Sequence, residues 1–378
     1  MSPQPKIRVA VVFGGQSPEH PISCASGGTV LAKLDRDRYE VVPIGILPDG
    51  RWVRTADDAA RLAITGRELP SVAAVALPGQ DAATARAASA GEVLAGVDVV
   101  LPVLHGPLGE DGTIQGLLEM AGLPYVGAGV LASAVSMDKE YMKLVFAANG
   151  LPMCPYVVVR DRDWRPAVAA ERKRVLDAVA ELGYPVFVKP ASGGSSIGTS
   201  PAADPAALVT AIENARQYDS KVIVEKKVEG REIECAVLEG LDGAPPEASL
   251  PGEIVIAGGE KFYDFEAKYL DAAGSMAVPA PIPAEHQTEI RRLAAAAFEA
   301  VSCAGFARVD CFYTPEGTVL VNEINTIPGL TATSYFPKMW EATGLPLPQL
   351  LDRMISTALR TRAGAARGGP AGQPPGSR

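Results

Sequence analysis

Lys189 ends a short apolar run and is followed by Pro190 and a polar, glycine-rich loop, Ala191-Ser192-Gly193-Gly194-Ser195-Ser196-Ile197-Gly198. A lysine at a strand end, followed by glycines and serines, is the donor set a polyanion needs. Glycines let backbone N–H groups approach phosphate oxygens, hydroxyls add donors and the lysine adds charge. The loop is not a Walker sequence, because no G-x-x-x-x-G-K-[ST] is present, and a flexible hairpin is its plain alternative. A second group is Arg308-Val309-Asp310 followed, one hairpin later, by Glu323-Ile324-Asn325. Asp310 and Glu323 fall on adjacent predicted strands, and Glu323 and Asn325, two apart, share a strand face. Such an oxygen-only set suits Mg²⁺, which takes few protein ligands and completes its shell with water and phosphate. A solvated strand face is the alternative, weakened by the apolar neighbours Val309, Val319, Val321 and Ile324.

Two further loops follow predicted strands. His105-Gly106-Pro107-Leu108-Gly109-Glu110-Asp111-Gly112 ends an apolar run, and Gly14-Gly15-Gln16-Ser17-Pro18-Glu19-His20 ends the first one. Ligands in open α/β sheets collect outside the carboxyl ends of the strands, so Glu and His on both loops imply a small polar substrate between them. For His105 alone, a structural ring satisfied by a backbone carbonyl is the simpler reading.

The elements that must position these residues can be read from apolar runs and breakers. Strands are predicted at 7–13, 40–47 and 97–104, and helices at about 22–34 and 113–121, the order of an open parallel sheet with helices on its faces. The stretch 57–91 reads as irregular structure with short helices. Beyond Gly127, a helix at 138–149 precedes strands at 157–159, 185–189 and 221–225, with helices at 172–182 and 205–218. The last region pairs 232–238 with 252–256 and carries a polar aromatic loop at 258–278. A helix at 283–301 and strands at 305–313 and 319–325 complete it. The predicted units are 1–127, 128–230 and 231–361, with a disordered Gly/Pro/Ala/Arg tail at 362–378.

Composition removes several function classes. The chain has 378 residues, 47% of them hydrophobic, enough for two or three packed units. A net charge of −9 argues against nucleic-acid binding. Five cysteines without C-x-x-C spacing and only 3 histidines argue against a zinc cluster or a disulfide scaffold, and fit the cytoplasm. No signal peptide or membrane span is expected.

Taken together, the motifs resemble those of D-alanine–D-alanine ligases of the ATP-grasp superfamily. The string H-G-x-x-G-E-D-G-x-I-Q-G at 105–116 fits the N-terminal signature, and Gly305-x-Ala-Arg-Val-Asp310 with Glu-Ile-Asn-Thr-Ile-Pro-Gly at 323–329 fits the C-terminal one. Cys311, where an aliphatic residue or Phe is usual, and Val321 are small departures. Gly14–Glu19 and Tyr263-Asp-Phe-Glu-Ala-Lys-Tyr269 are further matches. The resemblance implies an ATP-grasp fold, α+β in its ATP-binding part, behind an N-terminal parallel-sheet domain. It implies ATP as substrate, two Mg²⁺ ions with Mn²⁺ as a substitute, and a homodimer built on the N-terminal domain.

The implied chemistry has two steps. One D-alanine carboxylate attacks the γ-phosphate of ATP, giving an acyl phosphate, and the amine of a second D-alanine then displaces phosphate. Residue by residue, the resemblance makes Asp310, Glu323 and Asn325 the metal ligands. Lys139, Lys189 and Lys268 become phosphate contacts, together with Ser195 and Ser196 of the loop. Glu225, Lys226, Val228 and Glu232 become base and ribose contacts. Arg308 and the backbone N–H of Gly329 form the oxyanion site. Glu19 is assigned to the ammonium of the first D-alanine and Ser334 to the carboxylate of the second, with His105 as a further substrate-binding residue. Ser195, Tyr269 and Glu19 form a latch that closes two loops over the site. Lys268-Tyr269 favours a dipeptide product over D-alanyl-D-lactate, because the vancomycin-resistance ligases that make the ester lack this tyrosine. A depsipeptide ligase and another ATP-grasp carboxylate–amine ligase are the alternatives. A catalytically dead module on this fold would be expected to have lost charged residues that are all present here.

Overall fold

The computed structural model describes residues 5–66, 68–77, 89–165, 169–256, 274–331 and 333–367. Three sheets follow one another along the chain. In the first, β1 (Ile7–Gly14) lies between β2 (Tyr39–Ile46) and β4 (Val99–Pro102) and is parallel to both. β3 (Trp52–Arg54) adds an antiparallel edge, giving the order β3-β2-β1-β4. The apolar run of β1 is buried on both faces, as a central parallel strand requires. Its carboxyl end feeds α1 (His20–Lys33) through the loop that carries Glu19. The loop after β4 carries His105 and leads into α3 (Thr113–Met120), after the short α2 (Ala90–Val93) earlier in the chain. Both polar loops therefore meet at one end of the sheet.

Two helices, α4 (Val130–Met137) and α5 (Lys139–Ala148), lead to the second sheet. It consists of β5 (Tyr156–Arg160), β6 (Val186–Pro190), β7 (Ser200–Ala202) and β8 (Lys221–Lys226), antiparallel in the order β5-β8-β6-β7. Strand alternation divides its faces. Val186, Val188, Val222 and Val224 pack against α6 (Ala169–Leu182) and α7 (Pro205–Ala215), so Lys189 and Glu225 project from the opposite face.

The third sheet has the order β12-β11-β9-β13-β14, with β10 (Glu247–Ala248) on β9. Its strands are β9 (Arg231–Leu238), β11 (Gly252–Ile256), β12 (Gly274–Ala277), β13 (Phe306–Tyr313) and β14 (Val319–Asn325). Ile233, Cys235, Val309, Cys311, Val321 and Ile324 pack against α8 (Ala284–Ala300), leaving Glu234, Arg308, Asp310 and Glu323 on the other face. A register shift between Asp310 and Cys311 matters here. Asp310 pairs with Glu323 and Cys311 with Val321, so Asn322 is the extra residue of a bulge. The bulge lets Val321 and Ile324 both reach the core while Glu323 turns to the polar face.

Three differences from the sequence expectations stand out. Residues 274–277, assigned to the polar loop, form β12 by pairing with β11. Helix α4, with α9 (Tyr335–Thr343) and α10 (Leu347–Arg367), was not anticipated. α10 also carries helix six residues beyond the expected boundary at 361, in a stretch where Ala and Arg favour helix. Residues 368–378 of the expected tail lie outside the described residues. α10 packs onto the first sheet rather than standing apart. Leu350, Leu351, Met354 and Ile355 share a core with Val9, Val11, Phe13 and Tyr39, and the Tyr39 hydroxyl donates to Asp352 at 2.6 Å.

Candidate active site

A cleft of about 290 Å³ lies between the exposed faces of the second and third sheets. Its first wall is cationic. Lys189, at the end of β6, donates to Glu225 Oε2 at 2.5 Å, and Lys143 Nζ sits 2.9 Å from Glu225 Oε1. One buried carboxylate is thus shared by two lysines. Burial works to raise the Glu225 pKa, but the two lysines outweigh it and hold the group down to about 2. Burial likewise works to lower that of Lys189, and Glu225 and Glu323 overcome it, raising it. Lys139 starts α5, next to the N-cap Asp138, and donates to the Gly193 carbonyl at 2.6 Å. Burial, its largest influence, lowers the pKa of Lys139.

The loop after β6 is held in a specific shape. Ser195 and Ser196 adopt φ of 51° and 58°, a left-handed conformation uncommon for residues with a side chain. In it the Ser195 hydroxyl donates to Glu19 Oε1, joining the loop to the N-terminus of α1. Glu19 is buried, and Gly106 leaves room for it. With φ at +74°, a Cβ on Gly106 would stand 2.6 Å from Glu19 Oε2.

The opposite wall is anionic. Arg308 makes a bidentate pair with Asp310, both contacts at 2.7 Å, and lies 3.3 Å from Glu234. Burial would lower the Arg308 pKa, but Asp310 and Glu234 raise it well above its ordinary value. Glu323 lies opposite Asp310 in register, and Asn325 opposite Arg308, its Oδ1 accepting the Ile327 N–H at 3.0 Å.

A third side, adjoining the cleft rather than lining it, comes from the loops of the first sheet and from residues 325–334. His105 is buried with Nε2 3.2 Å from the Ser26 hydroxyl, which also accepts the Leu330 N–H at 3.3 Å. Burial lowers its pKa to about 4, so the ring is neutral at pH 7. Glu110 accepts the Gly106 N–H at 2.5 Å, and burial, with Glu19 nearby, pushes its pKa up to about 8. Across from them, a Cβ on Gly329 would stand 2.7 Å from Ser334 Oγ, which accepts the Thr331 N–H at 3.0 Å.

Among the residues expected from the sequence, Lys139, Lys189, Ser195, Ser196, Glu225, Lys226, Val228, Glu232, Arg308, Asp310 and Glu323 all line the one cleft. Lys226 lines it while its ammonium turns to the Gly183 and Tyr184 carbonyls, at 2.8 and 3.5 Å. Lys268 and Tyr269 lie outside the described residues. Three charged residues were missed. Lys143 lies one helical turn from Lys139, and Glu234 is two residues from Glu232 on β9, so spacing alone could have flagged both. Glu110 sits inside the quoted motif, with nothing in the sequence to mark its burial.

Comparison with known proteins decides the family. Residues 8–128 match the model for the D-ala D-ala ligase N-terminus and residues 145–356 that for the D-ala D-ala ligase C-terminus. The chain belongs to the D-alanine–D-alanine ligase family. A relative from Streptomyces griseus, a "D-alanine--D-alanine ligase", is 52% identical over 375 residues, covering 96% of this chain and 95% of its own length. The solved ligase from Coxiella burnetii is 35% identical with a TM-score of 0.75, covering 96% of both chains. The VanG D-Ala:D-Ser ligase from Enterococcus faecalis is 31% identical with a TM-score of 0.75, covering 94% of this chain and all of that one. The fold is therefore the ATP-grasp fold of these ligases, and the chain is a ligase. Among the described residues, no helix is long and apolar enough to cross a membrane.

Proposed function

We propose that this chain joins two D-alanines into D-alanyl-D-alanine for peptidoglycan precursors in the cytoplasm, converting ATP to ADP and phosphate. The observation that carries the reading is the cleft itself, with Lys139 and Lys189 on one side and Arg308, Asp310 and Glu323 on the other. A D-alanine carboxylate attacks the γ-phosphorus, ADP leaves, and an acyl phosphate forms. The amine of the second D-alanine adds to the acyl carbon and loses its proton, and phosphate departs as the amide forms.

Each step asks something of particular residues. Joining two anions requires charge neutralisation, which Lys139 and Lys189 supply to the phosphates, with Lys268 in the same role. Ser195 and Ser196 complete the phosphate loop, while Glu225, Lys226, Val228 and Glu232 receive the base and ribose. Glu19 receives the ammonium of the first D-alanine and His105 lines that subsite as a neutral ring. Arg308 and the Gly329 N–H stabilise the tetrahedral oxyanion, and Ser334 takes the second carboxylate. The Glu19–Ser195 hydrogen bond ties the phosphate loop to the N-terminus of α1 and helps keep water from the acyl phosphate, and the latch role of Tyr269 belongs to the same reading.

The acidic wall also suits a metal. Among the described residues, no group of three or more His, Cys, Asp and Glu forms a metal cage. Asp310, Glu323 and Asn325 nevertheless offer hard oxygen donors on one strand pair, and the Asn325 oxygen keeps a second lone pair beside the Ile327 N–H. These three would hold two Mg²⁺ ions, or Mn²⁺, which when bound neutralise phosphate oxygens. A homodimer belongs to the same reading, supported by the exposed Leu117, Met120, Val130 and Leu131 on α3 and α4, which pack side by side.

The test is product analysis. Purified protein given ATP, Mg²⁺ and D-alanine, with D-serine and D-lactate competing, is expected to yield mainly D-alanyl-D-alanine. A predominance of the ester or of the mixed dipeptide would overturn the assignment of the second substrate.

A further inference from the structure

Lys143 is the one member of the cationic wall that nothing above uses. It is fully buried on α5, 2.9 Å from Glu225 Oε1, with Cys154 Sγ at 3.7 Å and the Tyr156 ring centroid at 5.7 Å. It cannot touch a nucleotide, because none of its surface reaches the cleft. Its partner can, since Glu225 lines the cleft and its other oxygen holds Lys189 at 2.5 Å.

Charge explains why a buried ammonium belongs there. A Lys189–Glu225 pair alone is neutral and would offer little attraction to a phosphate. Placing a like-signed ion beside a pair in a dry interior is costly unless it has its own partner atom, and Lys143 has one in Oε1. The trio Lys143–Glu225–Lys189 carries one net positive charge, and only Lys189 presents it to the cleft. We propose that Lys143 is a positioning residue for nucleotide binding. It takes up the charge of Glu225 from behind, so that Glu225 does not cancel the charge Lys189 presents to the phosphates and stays fixed for the base. The inference rests on the ATP site proposed above.

The charge account separates phosphate from base. In competition against a fluorescent ADP analogue, with Mg²⁺ present and D-alanine absent, Lys143→Met is expected to weaken ATP about tenfold or more and adenosine less than about threefold, as the loss of a close, desolvated charge would. The double variant Lys143→Met/Glu225→Gln removes the two buried charges together and leaves Lys189 cationic. Its preference for ATP over adenosine should return to within about threefold of wild type. A merely structural Lys143 would instead weaken both ligands in proportion. That outcome, or unchanged ATP binding by Lys143→Met, overturns the proposal. If Lys143→Met does not fold, the double variant decides alone, and a lost preference in it overturns the proposal. A wild-type protein with no preference for ATP over adenosine would overturn the ATP site as well, which distinguishes the two failures.

Discussion

The two sheets that face the cleft solve the same burial problem with opposite signs. On the second sheet and its neighbouring helix, Lys139, Lys143 and Lys189 surround the single carboxylate of Glu225. On the third, the single guanidinium of Arg308 is surrounded by Glu234, Asp310 and Glu323. Each wall is tolerable because its buried charges have opposite neighbours, within the wall and across the cleft, where Glu323 acts on Lys139 and Lys189. The cationic wall can hold phosphate oxygens directly. The anionic wall would repel them unless a cation stood between. On the ATP reading proposed above, this contrast is what assigns a magnesium ion to the acidic wall.

The largest expected effect breaks the anionic wall. Glu323→Ala should reduce D-alanine-dependent phosphate release from ATP by about 10²–10³-fold, with the circular-dichroism spectrum unchanged. Persistent turnover would remove Glu323 from the metal site. A smaller effect comes from the other wall. Lys189→Met leaves Lys143 and Glu225 as a neutral pair, so the KM for ATP should rise about 10–100-fold, or about 1.4–2.8 kcal/mol of lost phosphate attraction. An unchanged KM would mean that Lys139 and the loop suffice.

The smallest effect sharpens the comparison at the third side, where a carboxyl is kept neutral instead of paired. Glu110 is raised to about 8 by burial and by Glu19, whereas an unfolded chain would release that proton near its ordinary 4.5. Between those values the folded state binds the extra proton, so the Glu110 contribution to stability is present at low pH and is lost as pH rises toward 8. Urea midpoints followed from pH 5 to 9 should fall less steeply for Glu110→Gln than for wild type. Equal slopes would mean that Glu110 is already ionised at neutral pH.

The fold was largely legible where period and breakers agree. β1 reads as a central parallel strand because its apolar run is continuous, and β13 and β14 read as a hairpin from alternation on either side of Asp310 and Glu323. α9 and α10 escaped notice because their apolar residues pack onto distant elements, α9 onto β9 and Phe306 and α10 onto the first sheet, where Tyr39 meets Asp352, and short-range pattern carries no record of those partners. β12 was missed because its four residues, Gly274-Ser275-Met276-Ala277, have weak strand preference and are ordered by β11. At the site, Lys189, Asp310 and Glu323, which the fold brings to one cleft, were singled out by type and spacing. Lys143 and Glu110 were not, since their significance lies in burial and in neighbours brought from other elements. Glu225 shows the same limit from the other side, because its two lysines are contacts no motif describes.

The packing of α10 against the first sheet has a consequence for how the chain is made. Tyr39 and Asp352 are separated by 313 positions, so the first sheet emerges long before the helix that completes its core. At about 5–20 residues per second, a ribosome needs roughly 15–60 s to bridge that interval. For that time Val9, Val11 and Phe13 lack Leu350, Met354 and Ile355 as neighbours, and the nascent N-terminal region carries an apolar face that α10 later helps to cover. A chain cut short before Leu350 would keep every residue assigned to the active site and still lack part of the core beneath it.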